Sequence, residues 1–421
     1  MVQLRVLISG GGCAGPALAF WLAKAGHSVT VVERFPALRA SGAQIDIRAQ
    51  GIEVIRRMGL MEAIREKLVD EDGVALVDAT GRPRATLLAN KSGKGSQTVT
   101  SEFEIMRGDL VRVFYEETEK LGVEYVFGKT VDRFEQGDRH VTAYLSDGTS
   151  GVYDLLVGAD GQASRTRRAI LPPGADPYRH FGVYISYWTV PAAADDGDKL
   201  FRIHHVPGGR IVTLRRYTAA KMHAGFNLRD GDPALRDMPR GTPAQQKAFW
   251  ESRFRGAGWA ADRCLEGLRA ADDFYCVEAV QVHAATWHRG RAVLLGDAAH
   301  CPTPLTGMGT TGCFVGAYVL AGELARSPDD VPAALARYEA TLRPFVDEIQ
   351  TLKPWILGLF FPRSAWVIAV LRFVVGVMCW LRLPDIAARL ISEDRGGWKL
   401  PEYPELAASI EEASGSRGNA A

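Results

Sequence analysis

The feature that most constrains the fold of this chain is a glycine-rich turn between a strand and a helix. Gly10-Gly11-Gly12-Cys13-Ala14-Gly15 fits the pattern GxGxxG, and it follows the strand-like run Arg5–Ser9 and precedes an apolar helical run ended by Gly26. Such glycines permit a tight turn, a close approach of a pyrophosphate to the backbone, and close helix–strand packing. A second strand, Ser28–Glu33, ends in an acid 18 residues after Gly15, near the spacing of a ribose-binding acid. The sequence therefore predicts a dinucleotide-binding βαβ unit, without distinguishing FAD from NAD(P).

Length and composition restrict the possible functions of the chain. Its 421 residues suggest two or three domains, and a net charge of +1 gives no reason to expect a nucleic-acid partner. The six cysteines form no CxxC and show no metal-ligand spacing, so we expect a reducing compartment and no metal site. Only four residues precede the first strand and none of them resembles a secretion signal, so we expect a cytoplasmic protein.

Strand and helix patterns predict a nucleotide-binding domain in three pieces, with a sheet-rich domain inserted. We expect a helix starting near Asp109, strands at Val123–Phe127, Val141–Leu145 and Val152–Gly158, and an antiparallel sheet over Phe181–Leu228. The predicted fold class is therefore mixed α/β, with a Rossmann-like domain, an inserted antiparallel-sheet domain and C-terminal helices. The predicted ranges are 1–75, 101–175 and 276–345 for the nucleotide-binding domain, 76–100 and 176–275 for the sheet-rich domain, 346–405 for the helical segment, and 406–421 for a disordered tail.

Two later turns carry the same kind of chemistry as the glycine-rich turn. Gly158-Ala159-Asp160-Gly161 closes a strand, and Gly296-Asp297-Ala298-Ala299-His300 precedes the glycines 307, 309 and 312 at the start of a helix. A carboxylate at a strand end can accept hydrogen bonds from sugar-chain hydroxyls, and a helix start offers backbone N–H groups to an electron-rich carbonyl. Each turn alone is an ordinary loop, but three in this order indicate one cofactor site. We expect His300 to make a structural hydrogen bond.

With these three motifs, residues 5–345 resemble the single-component, class A flavoprotein monooxygenases of the para-hydroxybenzoate hydroxylase fold. The resemblance implies bound FAD and transient NADPH or NADH, with molecular oxygen as co-substrate and oxygen transfer through a flavin C4a-hydroperoxide. Only one GxGxxG, at residues 10–15, lies in a βαβ unit, which agrees with transient NAD(P)H docking. Because the cofactor then carries the chemistry, we expect no certain catalytic side chain.

The same resemblance implies which residues bind the cofactor. Arg48 is the one open case, because a solvated arginine at a strand end would have the same pattern. The implied cofactor-binding residues are Gly10, Gly12, Cys13, Ala14, Gly15, Glu33, Arg34, Arg48, Arg107, Asp160, Asp297, Gly307, Gly309, Thr310 and Thr311.

The substrate site is less well defined by the sequence. Ala43–Ile47 and Lys221–Gly225 are most similar to the tetracycline-inactivating branch of this family, which implies His223 and Arg202 as substrate contacts. Tyr184 would suit a flat, aromatic or polycyclic (polyketide-like) substrate, although an aromatic residue here also suits a core. His205 and Arg215 are rival candidates on neighbouring strands.

Two questions stay open from the sequence. The apolar segment Trp355–Leu383 is interpreted first as a helix capping the substrate pocket, with membrane contact as a less favoured alternative and a membrane span as the least favoured. A flavin-dependent halogenase and a non-catalytic FAD- or NAD(P)-binding protein are the alternative functions. Ser186–Pro191 keeps only part of the halogenase WxWxIP pattern.

Overall fold

The computed structural model describes residues 3–38, 42–89, 103–194, 196–383 and 397–418. Strands in these ranges are β1 (Arg5–Ser9), β2 (Ser28–Glu33), β3 (Gln44–Asp46), β4 (Gly73–Val77), β5 (Pro83–Leu88), β6 (Glu104–Met106), β7 (Glu124–Phe127), β8 (Val131–Gln136), β9 (Val141–Leu145), β10 (Ser150–Tyr153), β11 (Leu155–Gly158), β12 (Tyr178–Pro191), β13 (Leu200–Val206), β14 (Arg210–Arg216), β15 (Lys221–Arg229), β16 (Tyr275–Val282), β17 (His288–Arg289) and β18 (Ala292–Leu294).

The α-helices in the same ranges are α1 (Ala14–Lys24), α2 (Gln50–Met58), α3 (Met61–Arg65), α4 (Arg107–Lys120), α5 (Arg165–Ile170), α6 (Pro243–Phe254), α7 (Ala261–Ala270), α8 (Asp297–His300), α9 (Gly309–Arg326), α10 (Val331–Ile349), α11 (Pro354–Phe360), α12 (Ala365–Trp380) and α13 (Pro404–Gly418). Short 3-10 helices occupy Pro233–Arg240 and Pro304–Thr306.

A six-stranded sheet in the order β17-β18-β11-β1-β2-β7 forms the nucleotide-binding domain, and only β17 runs antiparallel to its neighbour. The central run Val6–Ile8 is fully buried, as expected for the middle strand of a parallel sheet that is covered on both faces. Parallel strands place their carboxyl ends at one edge, so Ser9, Glu33, Gly158 and Leu294 end side by side. This arrangement brings together the three motifs that the sequence singled out, and the predicted mixed α/β fold is confirmed.

One predicted strand proves to be two. Val152–Gly158 is divided at Asp154, whose carboxylate accepts a hydrogen bond from the Arg5 backbone N–H at 2.7 Å. Residues before Asp154 belong to β10 and pair with β9, whereas those after it belong to β11 and pair with β1. The chain therefore leaves one sheet and enters another at Asp154.

The inserted domain is a seven-stranded sheet in the order β16-β12-β15-β14-β13-β4-β5. Every pairing is antiparallel except that of β13 with β4. Because β4 begins at Gly73 and β16 extends to Val282, this sheet starts before residue 76 and ends after residue 275, so both predicted boundaries are shifted. Residues 90–100 of the predicted insertion lie outside the described ranges.

The predicted disordered tail is wrong for residues 406–418, which form most of α13. Tyr403, Leu406 and Ser409 are buried, and the Tyr403 hydroxyl donates to Glu323 in α9 at 2.8 Å. The sequence did not predict this helix because its residues are mostly small and polar. Only the side of the helix that packs on the protein needs apolar residues. Residues 419–421 lie outside the described part of the chain.

No helix in the described residues is both long enough and apolar enough to cross a bilayer, so the membrane span considered for Trp355–Leu383 finds no support there.

Candidate flavin and substrate site

Two glycines of the first turn are required by packing. A Cβ on Gly10, whose φ is +122°, would lie 2.3 Å from the Ala159 carbonyl oxygen, and one on Gly15 would lie 2.0 Å from the Gly10 carbonyl oxygen. Both distances are far inside van der Waals contact, so any side chain would force the βα unit apart. Gly12 differs, because its nearest neighbour would be the Arg107 Nη2 at 3.2 Å. The space beside Gly12 is therefore bounded only by the flexible side chain of Arg107.

Arg107 starts α4 and lies over the glycine-rich turn. Its side chain passes between two glycines, because a Cβ on Gly42 would also be 3.1 Å from its Cβ and Cδ. The Arg107 backbone N–H donates to the Ala43 carbonyl at 3.2 Å, which ties the start of α4 to the segment before β3. A guanidinium beside the N-terminus of α1 concentrates positive charge where a diphosphate would bind.

Glu33 closes the same turn from the end of β2. Its Oε2 accepts the Gly11 N–H at 2.7 Å and its Oε1 accepts the Phe35 N–H at 3.0 Å. These bonds hold the carboxylate at the strand end, as a ribose-binding acid requires. Arg34 is exposed, and its guanidinium stacks on the Phe35 ring at 4.9 Å.

Asp297 stands where α1 and α9 meet. A Cβ on Gly296, whose φ is +62°, would lie 2.9 Å from the Ala14 Cβ and 3.0 Å from the Cys313 Sγ. Burial raises the pKa of Asp297, while the Arg107 and Arg167 guanidiniums oppose that rise. Burial likewise raises the pKa of the neighbouring Cys13 thiol. A neutral thiol there is inert packing rather than a nucleophile.

The start of α9 is open to a ligand. A Cβ on Gly309 would meet nothing within 4 Å, whereas Thr310 and Thr311 are buried behind it. The Thr311 hydroxyl accepts from the Arg48 backbone N–H and donates to the Arg48 carbonyl, both at 3.0 Å. The first turn of α9 therefore presents backbone N–H groups to open space, as the electron-rich edge of a flavin would need.

Arg48 belongs to this loop region. Its guanidinium pairs with Asp46 at 2.9 Å, its side chain is 21% exposed, and a Cβ on Gly307 would lie 3.7 Å from its Nε. Arg48 is therefore partly buried and ion-paired, and its contact with the cofactor stays a prediction.

Asp160 is placed at the sheet edge but bonds to its own loop. Its carboxylate accepts the backbone N–H groups of Arg165 at 2.8 Å and Thr166 at 3.1 Å, which caps α5. A cofactor contact for Asp160 stays a prediction. Arg167 is buried and donates to the Ala298 carbonyl at 2.9 Å, so it holds the turn that carries Asp297.

His300 differs from its expectation. Neither ring nitrogen makes a hydrogen bond within the described residues, and the buried ring packs on Trp287 with centroids 5.0 Å apart. Burial lowers the pKa of His300 to about 4, so the ring is neutral core packing.

The inserted sheet has two distinct faces, and the predicted substrate residues divide between them. Arg202 pairs with Leu214 and so lies on the same face of the sheet. Leu214 and Trp188 on this face pack against the helices α6 and α7. Tyr184 is buried in that same core, on the side away from the nucleotide-binding domain. The structure therefore does not bring Tyr184 and Arg202 together with His223.

His223 lies on the other face. It pairs in register with Thr189 and with Arg215, and its ring contacts Tyr217 with centroids 4.8 Å apart. Leu305, from the loop before α9, packs with the apolar residues of this face. Burial lowers the pKa of His223, and the charge of Arg215 adds to this effect. A neutral imidazole beside a guanidinium suits a polar, uncharged or anionic ligand.

The sequence patterns did not predict the partners of Arg215. Its Nε donates to Glu71 at 2.6 Å and its Nη2 donates to Glu104 at 2.5 Å, all largely buried where the two domains meet. Burial raises the pKa of Glu104, and the carboxylates of Asp46 and Glu71 raise it further against the opposing charge of Arg215. No local pattern joins residues 71, 104 and 215, because only the tertiary fold brings them together. His205, the other rival, is buried, and its carbonyl accepts from Arg372 at 3.1 Å.

The parallel sheet, the glycine-rich turn and the arginine above it define an α/β dinucleotide-binding fold. A family model described as an FAD binding domain matches residues 3–352. The chain belongs to this FAD-binding family, and it is an FAD-dependent monooxygenase.

Individual relatives agree with this assignment. The chain is 42% identical to the FAD-dependent monooxygenase asL4 of Sarocladium schorii, over 96% of this chain and 99% of that protein. Among solved structures, the tetracycline destructase Tet(55) is similar with a TM-score of 0.77 and 30% identity, covering 96% of this chain and 99% of that one. Klebsiella pneumoniae HpxO, solved with FAD and uric acid, has a TM-score of 0.67 at 21% identity over 91% of this chain and 96% of that one, which supports the fold.

Proposed function

We propose that this monooxygenase uses NADPH or NADH and molecular oxygen to insert one oxygen atom into an aromatic or polycyclic small molecule. The observation that carries the proposal is the position of the His223–Arg215 face opposite the loop that leads into α9. A substrate between them would contact both the sheet and the flavin-facing helix start. The similarity to a tetracycline destructase supports a polycyclic, polyketide-like substrate class.

The residues of the chain position the reactants. Arg107 and the N-terminus of α1 neutralise the charge of the diphosphate. Glu33 accepts hydrogen bonds from ribose hydroxyls, and Asp297 accepts them from hydroxyls of the ribityl chain. FAD, when bound, supplies hydride acceptance and oxygen activation. The backbone at Gly309 is open to solvent and would orient the flavin ring. The backbone N–H groups at the start of α9 would then donate to the electron-rich edge of that ring.

The nicotinamide partner is expected to dock transiently. Only the GxGxxG at residues 10–15 lies in a βαβ unit, and the acid that follows it, Glu33, bonds to the same glycine-rich turn. Asp160, at the next strand end, is the residue we propose to lie nearest this docking position.

Reduction of the flavin tests the proposal first. We expect the purified chain to show a flavin absorption band that bleaches with NADPH or NADH under anaerobic conditions, faster when a substrate is present. Labelled O₂ should then place one labelled oxygen atom in the product. Product formation that depends on halide would instead favour the halogenase alternative. A flavin that neither nicotinamide reduces, with every substrate tried, would overturn the proposed use of NAD(P)H and favour the non-catalytic alternative.

Two variants test the substrate face. His223→Ala should retain FAD and lose substrate-stimulated oxidation of NAD(P)H. Tyr184→Phe is the matched control, because it removes only a hydroxyl from the opposite sheet face and should keep that stimulation. Loss of stimulation in the control alone would contradict the placement of the substrate.

A further inference from the structure

The C-terminal helix α12 turns an apolar face to solvent. Its outward residues recur at helical spacing, and the three largest are strongly exposed: Trp366 by 70%, Phe373 by 71% and Trp380 by 82%. Val370 and Val377 lie between them, and Trp355 of α11 continues the exposed surface. We call these six residues the C-terminal apolar face. An exposed surface of this kind marks a docking site rather than ordinary protein surface.

The inward side of α12 carries the charge instead. Arg372 points toward the inserted sheet, where its Nη2 donates to the His205 carbonyl at 3.1 Å and contacts the His204 Nδ1 at 3.2 Å. Gly376 lets the helix approach β5, because a Cβ there would lie 3.0 Å from the Arg84 carbonyl oxygen. The usual arrangement of a surface helix is therefore reversed, with the cation inside and the aromatic side chains outside.

The charge within this segment of the chain has one sign, and Asp78, which adjoins the face, is paired with Arg84. Residues 351–383 contain four basic side chains, Lys353, Arg363, Arg372 and Arg382, and no acidic one. Lys353, Arg363 and Arg382 are exposed, beside or at the ends of the two helices. Tryptophans near both ends of α12 and flanking basic residues are the composition of a helix that lies in the headgroup region of a bilayer.

Geometry and charge select one occupant. The 16 residues of α12 extend about 24 Å, which is too short to span a bilayer but suits a helix lying along its surface. A second copy of the chain would oppose its own basic residues across a two-fold interface, which repels. An anionic surface would attract the same residues.

We propose that the C-terminal apolar face docks the protein on the surface of a membrane containing anionic lipid, with α12 lying in the headgroup region. The aromatic side chains enter the interface and the three exposed basic residues contact lipid phosphates. This docking is independent of the proposed oxygenation reaction, and its test uses no turnover.

Vesicle flotation of the full-length, FAD-loaded protein provides the test. We expect flotation with phosphatidylcholine vesicles that contain phosphatidylglycerol, and at least tenfold weaker binding for Trp366→Ser/Phe373→Ser/Trp380→Ser. Val152→Ser/Tyr275→Ser is the matched control, because both residues are exposed apolar side chains on other parts of the surface. Retained flavin absorption and an unchanged far-ultraviolet circular dichroism spectrum show that each variant is folded.

A second variant covers the case in which the triple variant fails to fold. Arg363→Gln/Arg382→Gln leaves the apolar face intact and should weaken binding to anionic vesicles about 25-fold, since each basic residue near such a surface contributes about fivefold. Wild-type protein that fails to float with anionic vesicles would overturn the proposal. So would variants that float as well as wild type, or self-association that the triple variant abolishes without any lipid binding.

Discussion

Gly12→Ala should separate cofactor binding from folding, because a side chain on Gly12 would point toward the position proposed for the cofactor. A Cβ at Gly12 would meet only the Arg107 Nη2 at 3.2 Å, the end of a flexible side chain. The apo chain should therefore lose little stability. The displaced guanidinium and the new methyl group would both occupy the position proposed for the diphosphate.

The expected magnitude follows from the contacts at stake. One charge-assisted hydrogen bond between Arg107 and a phosphate contributes about 1.5–3 kcal/mol, so its loss raises the Kd for FAD roughly ten- to 150-fold. Gly15→Ala should behave in the opposite way. Its Cβ would lie 2.0 Å from the Gly10 carbonyl oxygen, and such overpacking destabilises the fold by about 1–3 kcal/mol or more.

Flavin fluorescence titration of the apo protein and urea denaturation measure the two effects. Gly231→Ala is the matched control, because its Cβ would meet nothing within 4 Å and it lies outside the site. Wild-type affinity for FAD in Gly12→Ala would refute the placement of the diphosphate beside Arg107. A destabilised apo Gly12→Ala would refute the separation of the two glycines.

Three further predictions concern single residues. Asp297→Ala should lose flavin absorption after purification, whereas Asp297→Asn, which keeps an acceptor in a position where burial raises the pKa, should retain part of it. Because burial also raises the pKa of Glu104, the folded chain holds a proton that the unfolded chain releases, so this contribution to stability is lost as the pH rises through the raised pKa. The loss extends from the ordinary pKa of 4.5 to the raised pKa of about 9, so Glu104→Gln should flatten the fall in Tm over that pH interval. An unchanged fall would contradict a buried protonated carboxyl. Ala49→Gly should stabilise the chain by about 1 kcal/mol in urea denaturation, since Ala49 has a φ of +46° that favours glycine, and a destabilised variant would show that this backbone is unstrained.

The sequence predicted the nucleotide-binding domain closely because its features are local. The bounds of β1 and β2 agree with the predicted runs, and the glycine-rich turn, Glu33 and Asp297 lie at neighbouring strand ends. Each of these positions is set by a short motif and by the rule that parallel strands share one carboxyl edge. Family membership and FAD binding follow from the same motifs and are confirmed.

Features that depend on distant parts of the chain were not predictable in this way. The hydrogen bonds of Arg215 join residues 144 and 111 positions apart, and no periodic pattern in the sequence indicates them. The boundary at Asp154 depends on a backbone partner in β1. The helix α13 depends on burial of Tyr403 and Leu406 beside α9, which the polar composition of the tail conceals.

The face to which a side chain points explains why the substrate residues were the least predictable. Side chains alternate along a strand, so Arg202 and His223 share a face only if the pairing of β13 with β14 and of β14 with β15 gives both the same parity. The observed registers pair Arg202 with Leu214 and His223 with Arg215, which puts the two candidates on opposite faces. Arg215 occupies the face that Arg202 was expected to occupy, and hydrogen bonds to the side chains of Glu71 and Glu104 fix the direction of its guanidinium. The cation beside His223 is therefore Arg215, and a substrate bound to this face is oriented by a charge whose position depends on both domains.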